Sequence, residues 1–328
     1  MRDDWKVVID HWANRIPLPK RCVLVGVLVY GRGYPEEARD LYNKARKDYG
    51  ASGSRAELAA TLQHQGVIER RTGHPRESRT LLKESLSIFE DLGFLPGIAD
   101  TQAELAHVER DEGNRDEALQ LYDSAKRTYE SLGDEPRKAM TLQSMAIIRK
   151  DRNEFECAKH LCDEAAPLFD KWGKLLEMAS TLGLLGQIEE HFSHRGEARN
   201  LFDRARKIFE KLGYQPGLSD ILHNLATIEL KEEHNAVAEA LCRESLEKRR
   251  RLGDKRGIAK SEGLLGLVLE SACHLEEAES HMSEAMGIFA EMGDKPDQEM
   301  ASRHLDRIRE RLRAKKSIEG RRGNHVSA

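Results

Sequence analysis

The sequence predicts an all-α protein, a solenoid of about seven helix-turn-helix repeats of 40 residues each. Three observations predict it. Glycines stand at Gly53, Gly93, Gly133, Gly173, Gly213, Gly253 and Gly293, each 40 residues from the next without a slip. Two columns of small residues keep the same period, one through Ala38, Ser78, Ala118, Ala158, Ala198, Ala238 and Ala278, the other through Ala45, Ser85, Ala125, Ala165, Ala205, Ser245 and Ala285. The composition favours helices over strands, with 34% charged residues, 5% aromatics and nine prolines. A fixed period of this length marks supersecondary units that stack on one another.

The elements follow in order. Residues 1–13 read as an N-terminal extension, because "MRDDWKVVID" is polar and lacks the apolar core of a secretory signal. The run "CVLVGVLVYG", Cys22 to Gly31, is about half the length needed to span a bilayer and reads as the first helix of the first repeat. A cytoplasmic protein without membrane attachment is the expectation. Cysteines number five (Cys22, Cys157, Cys162, Cys242 and Cys273), and an odd count in a long chain argues against a disulfide framework.

Seven repeats fill 14–53, 54–93, 94–133, 134–173, 174–213, 214–253 and 254–293. Each opens with a helix whose apolar residues keep helical spacing, as at Leu182, Leu185 and Ile188. A polar turn follows, with Gly33, Gly73 and Gly113 in the first three copies. The second helix runs to a stop in which Gly takes the left-handed position past the last turn. Asp134, Asp254 and Asp294 then stand where an N-cap is wanted, and Pro96, Pro136, Pro216 and Pro296 suit the next first turn. The small columns mark places where helices cross closely. Leucines and the aromatic column Tyr49, Phe89, Tyr129, Phe169, Phe209 and Phe289 fill the gaps between layers. No pair buries its apolar face alone, so the pairs must stack. A polar capping helix over 294–314 and a basic disordered tail over 315–328 close the chain.

This pattern resembles the tetratricopeptide repeat (TPR) family in its 40-residue variety. The family has a small residue late in the first helix, Gly at the turn and Ala twice in the second helix. Gly186, Ala198 and Ala205 match those places in one repeat, and Gly66, Gly73, Ser78 and Ser85 in another. The junction "LGDKRGIA" is similar to arrays attached to bacterial signal-transducing ATPases and transcriptional regulators, and to the repeats of eukaryotic polarity and motor adaptors. The resemblance implies a right-handed superhelix with first helices lining a concave groove, and a protein or peptide partner. Groove positions then fall on Gln63, Arg70, His107, Arg110, Gln143, Lys150, Gln187 and His223, and Asn224 matches an asparagine the family uses to hold a bound backbone. Arg70, Arg110 and Lys150 form a basic ladder that predicts an acidic segment at repeats two to four; the same column continues as Glu190, Leu230 and Glu270. One column departs from the family. Its usual Tyr is replaced by Val29, Glu69, Glu109, Arg149, Glu189, Glu229 and Leu269, so peptide-binding details do not transfer.

Chemistry has little to stand on. No P-loop, dinucleotide fingerprint, HExxH or nucleophile elbow occurs. Cys157, His160 and Cys162 hold part of a zinc spacing, but Cys162 lies in a buried column and reads as a small hydrophobe. His74, His194, His234 and His274 share a turn column, too far apart between repeats to share an ion. Carboxylates are read as exposed helix positions with i,i+4 cations. No metal, cofactor or catalytic residue is expected.

The stretch "EKRRRLGDKRGIAKS" joins repeats six and seven. Arg249 stands in the aromatic column and Lys248 where sister repeats have Ile or Leu, so this helix end is expected to be looser. Lys248, Arg249, Arg250 and Arg251 become a secondary basic patch for an acidic partner. The function expected is a non-catalytic protein- or peptide-binding scaffold. The alternatives are the sensor or regulatory module of a larger signalling or transcription-regulating machine and, behind it, a nucleic-acid-binding adaptor. A net charge of -4 and the lack of a basic stripe with stacking aromatics weigh against nucleic acid.

Overall fold

The computed structural model describes residues 18–31 and 33–326. The N-terminal extension expected over 1–13 lies outside the described residues. Every regular element described is helical.

The chain divides into two compact units, Met1–Leu168 and Phe169–Ala328. The first contains α1 (Leu18–Gly31), α2 (Pro35–Ser52), α3 (Arg55–Arg71), α4 (Pro75–Asp91), α5 (Leu95–Asp111), α6 (Arg115–Ser131) and α7 (Glu135–Asp151). Helix α8 (Phe155–Lys171) carries the division, which falls beside Pro167, a residue that cannot donate the usual helical hydrogen bond. The second unit contains α9 (Leu175–His191), α10 (Arg195–Leu212), α11 (Gln215–Lys231), α12 (Asn235–Leu252), α13 (Lys255–Ser271), α14 (Leu275–Glu291) and α15 (Lys295–Val326).

Within each unit consecutive helices pack as pairs, and each second helix packs on the first helix of the next pair. First helices also touch the next first helix: α3 with α5, α9 with α11, and α11 with α13. They therefore form the inner row of each unit. The glycine column ends each second helix, with φ from 61° at Gly93 to 72° at Gly53, a region that carries a steric penalty for other residues. Asp134 and Asp254 cap as expected, accepting from the backbone N–H of Arg137 (3.1 Å) and Gly257 (2.9 Å).

The small columns are fully buried. Ser78 and Ser85 bury their hydroxyls by donating to the carbonyls of Gly66 (2.7 Å) and Ala59 (2.8 Å). Gly186 shows how close the crossing is: a Cβ there would lie 2.5 Å from the buried Phe202 ring. Gly186→Ala should therefore lower stability by about 1–3 kcal/mol by overpacking, despite the better helix propensity of Ala. Gly287→Ala, at an open helical site, should raise stability by about 0.5–1 kcal/mol. Urea denaturation of the pair checks both signs.

Two expectations change. The sequence alone places disorder from Lys315, but α15 continues to Val326. The stretch holds Lys315, Lys316, Glu319, Arg321 and Arg322, residue types that sustain a helix without an apolar face. The carboxylates are not all exposed: Glu69, Glu109, Glu189, Glu262 and Glu270 are buried. Arg39 holds Glu69, Arg79 holds Glu109 and Arg199 holds Glu229, each from the second helix of one repeat to the first helix of the next, 30 residues on. The column that departs from the family is thus a row of inter-repeat ion pairs. At Arg149 the sign reverses, and the guanidinium turns to Glu154 in its own loop.

Candidate inner groove

Three consecutive first helices, α3, α5 and α7, present their inner faces to one cavity of about 550 Å³. Four of the sequence-predicted residues line it: Gln63, His107, Arg110 and Gln143. Helical spacing brings them together, since residues three and four apart share a face and the 40-residue period repeats that face from helix to helix.

The floor is a hydrogen-bonded aromatic pair. The Tyr122 hydroxyl lies 2.5 Å from His107 Nδ1, with the rings edge to face. Burial, reinforced by the Arg110 and Arg70 cations, depresses the His107 pKa to about 3, so the imidazole is neutral at physiological pH. Beside it stands Glu104, which the sequence reading missed. Burial raises its pKa, and its Oε2 has no hydrogen-bond partner, Arg70 Nη2 being 3.9 Å away. Asp100 is the second missed carboxylate; it accepts from the Tyr129 hydroxyl at 2.7 Å and faces Arg137 at 3.3 Å. The only sequence signal for these two was an acid among the turns of an inner-facing helix.

The basic ladder does not survive as a free surface. Arg70 and Arg110 both donate to Asp111, each at 2.8 Å, and Lys150 lies 3.7 Å from Asp151. Arg70 and Lys150 are not among the residues lining the cavity. The same offset recurs in the second unit, where Lys231 pairs with Glu190 and Arg311 donates to Glu270 at 2.9 Å. Arg70, Lys231 and Arg311 thus tie one first helix to the next, whereas Arg110 and Lys150 meet the following residue of their own helix.

The other predicted residues lie in the second unit and do not join this cavity. Gln187 and Asn224 are half-buried on α9 and α11, and His223 lines a separate cavity.

The secondary patch is corrected at Arg249. It is buried, and its guanidinium donates to the Gly257 carbonyl and the Ser261 hydroxyl at 2.8 Å and to Asp220 at 2.7 Å. The helix end is not looser: Arg249 fills the aromatic slot and substitutes hydrogen bonds for ring packing. Arg250 holds the buried Glu262 at 2.5 Å, Arg251 pairs with Glu247, and Lys248 lies 3.5 Å from Glu244.

The turn histidines are exposed but employed. His74, His194 and His234 place Nδ1 at 3.1, 2.8 and 2.9 Å from Glu69, Glu189 and Glu229. Some of these groups reach metal-ligand spacing within a repeat, as do Glu262, His281 and Glu284. Arginines already hold Glu229 and Glu262. Cys162 is buried, which pushes its thiol up to about 12, a packing residue rather than a ligand.

Solved structures share this arrangement of helix pairs. A signal transduction ATPase with numerous domains, carrying a tetratricopeptide repeat sensor, from Pyrococcus horikoshii aligns with a TM-score of 0.71 at 15% identity, over 90% of this chain and 45% of that one. The fold is that of the tetratricopeptide repeat proteins. Other TPR-like neighbours are aspartyl phosphate phosphatase F from Bacillus subtilis (TM-score 0.67, 12% identity, 82% of this chain and 70% of that one) and the quorum sensor NprR from B. thuringiensis (TM-score 0.67, 15% identity, 88% and 84%). The chain thus spans less than half the length of the Pyrococcus protein. No protein-family model matches the sequence, and no curated protein matches it. Among the described residues, no helix of this TPR array is long and apolar enough to cross a membrane.

Proposed function

We propose that this TPR array is a non-catalytic scaffold that binds a protein or peptide segment, with the inner groove of its first unit as the docking place. One observation carries the reading: Gln63, His107, Arg110 and Gln143, from three successive inner helices, line one cavity of about 550 Å³. An open groove with donors and acceptors at a helical repeat distance suits an extended backbone better than a reaction that needs a closed, dry site. The occupant is of mixed charge rather than acidic. Asp111 occupies Arg70 and Arg110, and the cavity itself sets Asp100 and Glu104 against Arg110 and Arg137.

A peptide library displayed on phage and selected against the whole chain tests this. Binders should share a motif and should lose at least tenfold in affinity to Ala103→Trp, whose ring fills the groove. Selected peptides that bind the folded Trp variant equally well would remove the groove from the proposal. A second reading, a regulatory or sensor module acting within the cytoplasm for a larger signalling machine, draws support from the sensor-bearing ATPase to which the chain is similar.

A further inference from the structure

The second unit contains a cavity of different character. It holds about 390 Å³ and is walled by α11, α13, α14 and the closing helix α15. Leu264, Leu267, Met282, Phe289 and Met300 make most of the lining apolar. Gly263 borders open space, since a Cβ there would meet only the Ala285 methyl, at 3.8 Å.

The lining carries one cation, Lys260, one carboxylate, Asp297, and two imidazoles, His223 and His304. Lys260 stands at the wall and, among the described residues, makes no ion pair. Asp297, the one carboxylate of the lining, faces Arg256 at 3.7 Å. His223 contributes an imidazole whose buried Nδ1 has no hydrogen-bond partner. Burial depresses its pKa to about 3, and the Arg249 and Lys260 cations push the same way. His304, on α15, is likewise lowered, by burial and then by Arg307. A buried polar atom without a partner calls for an explanation, and an apolar cavity with two cations, Arg249 and Lys260, acting on that imidazole offers one.

We propose that this cavity binds a small carboxylic acid with an apolar body, its ring or chain against Met282, Phe289 and Leu264 and its carboxylate at Lys260 and His223. The volume falls in the range of small-molecule sites, and a few polar groups on an apolar wall are what such sites use to orient a ligand. The carboxylate pairs with Lys260, which stands exposed at the rim, and offers an acceptor to the imidazole. Since α15 forms one wall, occupancy braces the end of the array.

Titration calorimetry and thermal unfolding of the whole chain with hydrocinnamate, and with hydrocinnamamide as the uncharged counterpart, test the proposal. The acid should bind at millimolar concentration or below and raise Tm, as any ligand of the native state does. The amide should bind about tenfold more weakly, the value of one charge-assisted hydrogen bond. Lys260→Met should bring the acid down to the level of the amide. Gly263→Leu, which fills the cavity, should abolish binding of both; if that variant does not fold, Leu267→Trp serves the same purpose. Equal binding of acid and amide, binding that persists in a folded filled variant, or no binding of the acid at millimolar concentration would each overturn the assignment.

Discussion

Arg249→Ala should destabilise the second unit by about 3–5 kcal/mol, the range for deleting a large buried side chain and leaving buried polar groups unpaired. Only 4% of the Arg249 side chain is exposed, and it satisfies the Gly257 carbonyl and the Ser261 hydroxyl as well as reaching Asp220. Asp220 is 65% exposed and is re-solvated when the arginine leaves; the other two partners are not. Arg249→Phe should recover most of the loss. Sister repeats carry an aromatic ring here that seats against the next repeat, as Phe209 does at Gly217 and Phe89 at Gly97. Equilibrium urea unfolding of the three proteins reads both values. Equal losses for Ala and Phe would show that the hydrogen bonds, not the filled volume, hold this joint.

The second large effect belongs to the inter-repeat ion pairs. Arg79→Ala should cost roughly 3 kcal/mol, the low end for breaking a buried pair, because Arg79 is itself 24% exposed. It strands Glu109, whose carboxylate is 2% exposed and accepts from Arg79 Nε at 2.6 Å and Asn114 at 2.7 Å. Replacing both partners, Arg79→Leu with Glu109→Leu, should return much of it. The pH dependence separates the two variants from the parent. The Arg79 hydrogen bonds are the main reason the Glu109 pKa is lowered in the folded chain. A lowered carboxyl pKa contributes stability that is present above the ordinary carboxylate range and is lost as pH falls through the folded value. The parent should therefore lose more stability than the double Leu variant between about pH 5 and about pH 3. Parallel losses would place the acid sensitivity elsewhere.

The fold was legible because period and packing are the same signal. Gly53 to Gly293 terminate helices, Ala38 to Ala278 sit where helices cross, and both constraints act on residue type at a single position. The groove was legible in part through the resemblance: Gln63, His107 and Gln143 stand at positions that the TPR likeness assigns to the inner face, and they line the cavity. Charge was not, because an ion pair is a property of two positions. Arg70 reads as a free cation until Asp111, 41 residues on, is set beside it, and Arg39 until Glu69 is. Arg249 misled in the opposite way: a basic residue in an apolar column reads as exposure, whereas its long stem and planar head fill the slot and find partners there.

The ion-pair row also governs how an array of this kind gains and loses repeats. Removing residues 40–79 would set Arg39 in register with Glu109, a matched junction with the same chemistry as the one deleted. Removing 80–119 would set Arg79 against Arg149, two guanidiniums at a site built for opposite charges. Both deletions excise one whole period and leave the hydrophobic columns intact. Only the first leaves a compatible seam, so the sign of one column restricts which units of the array are interchangeable.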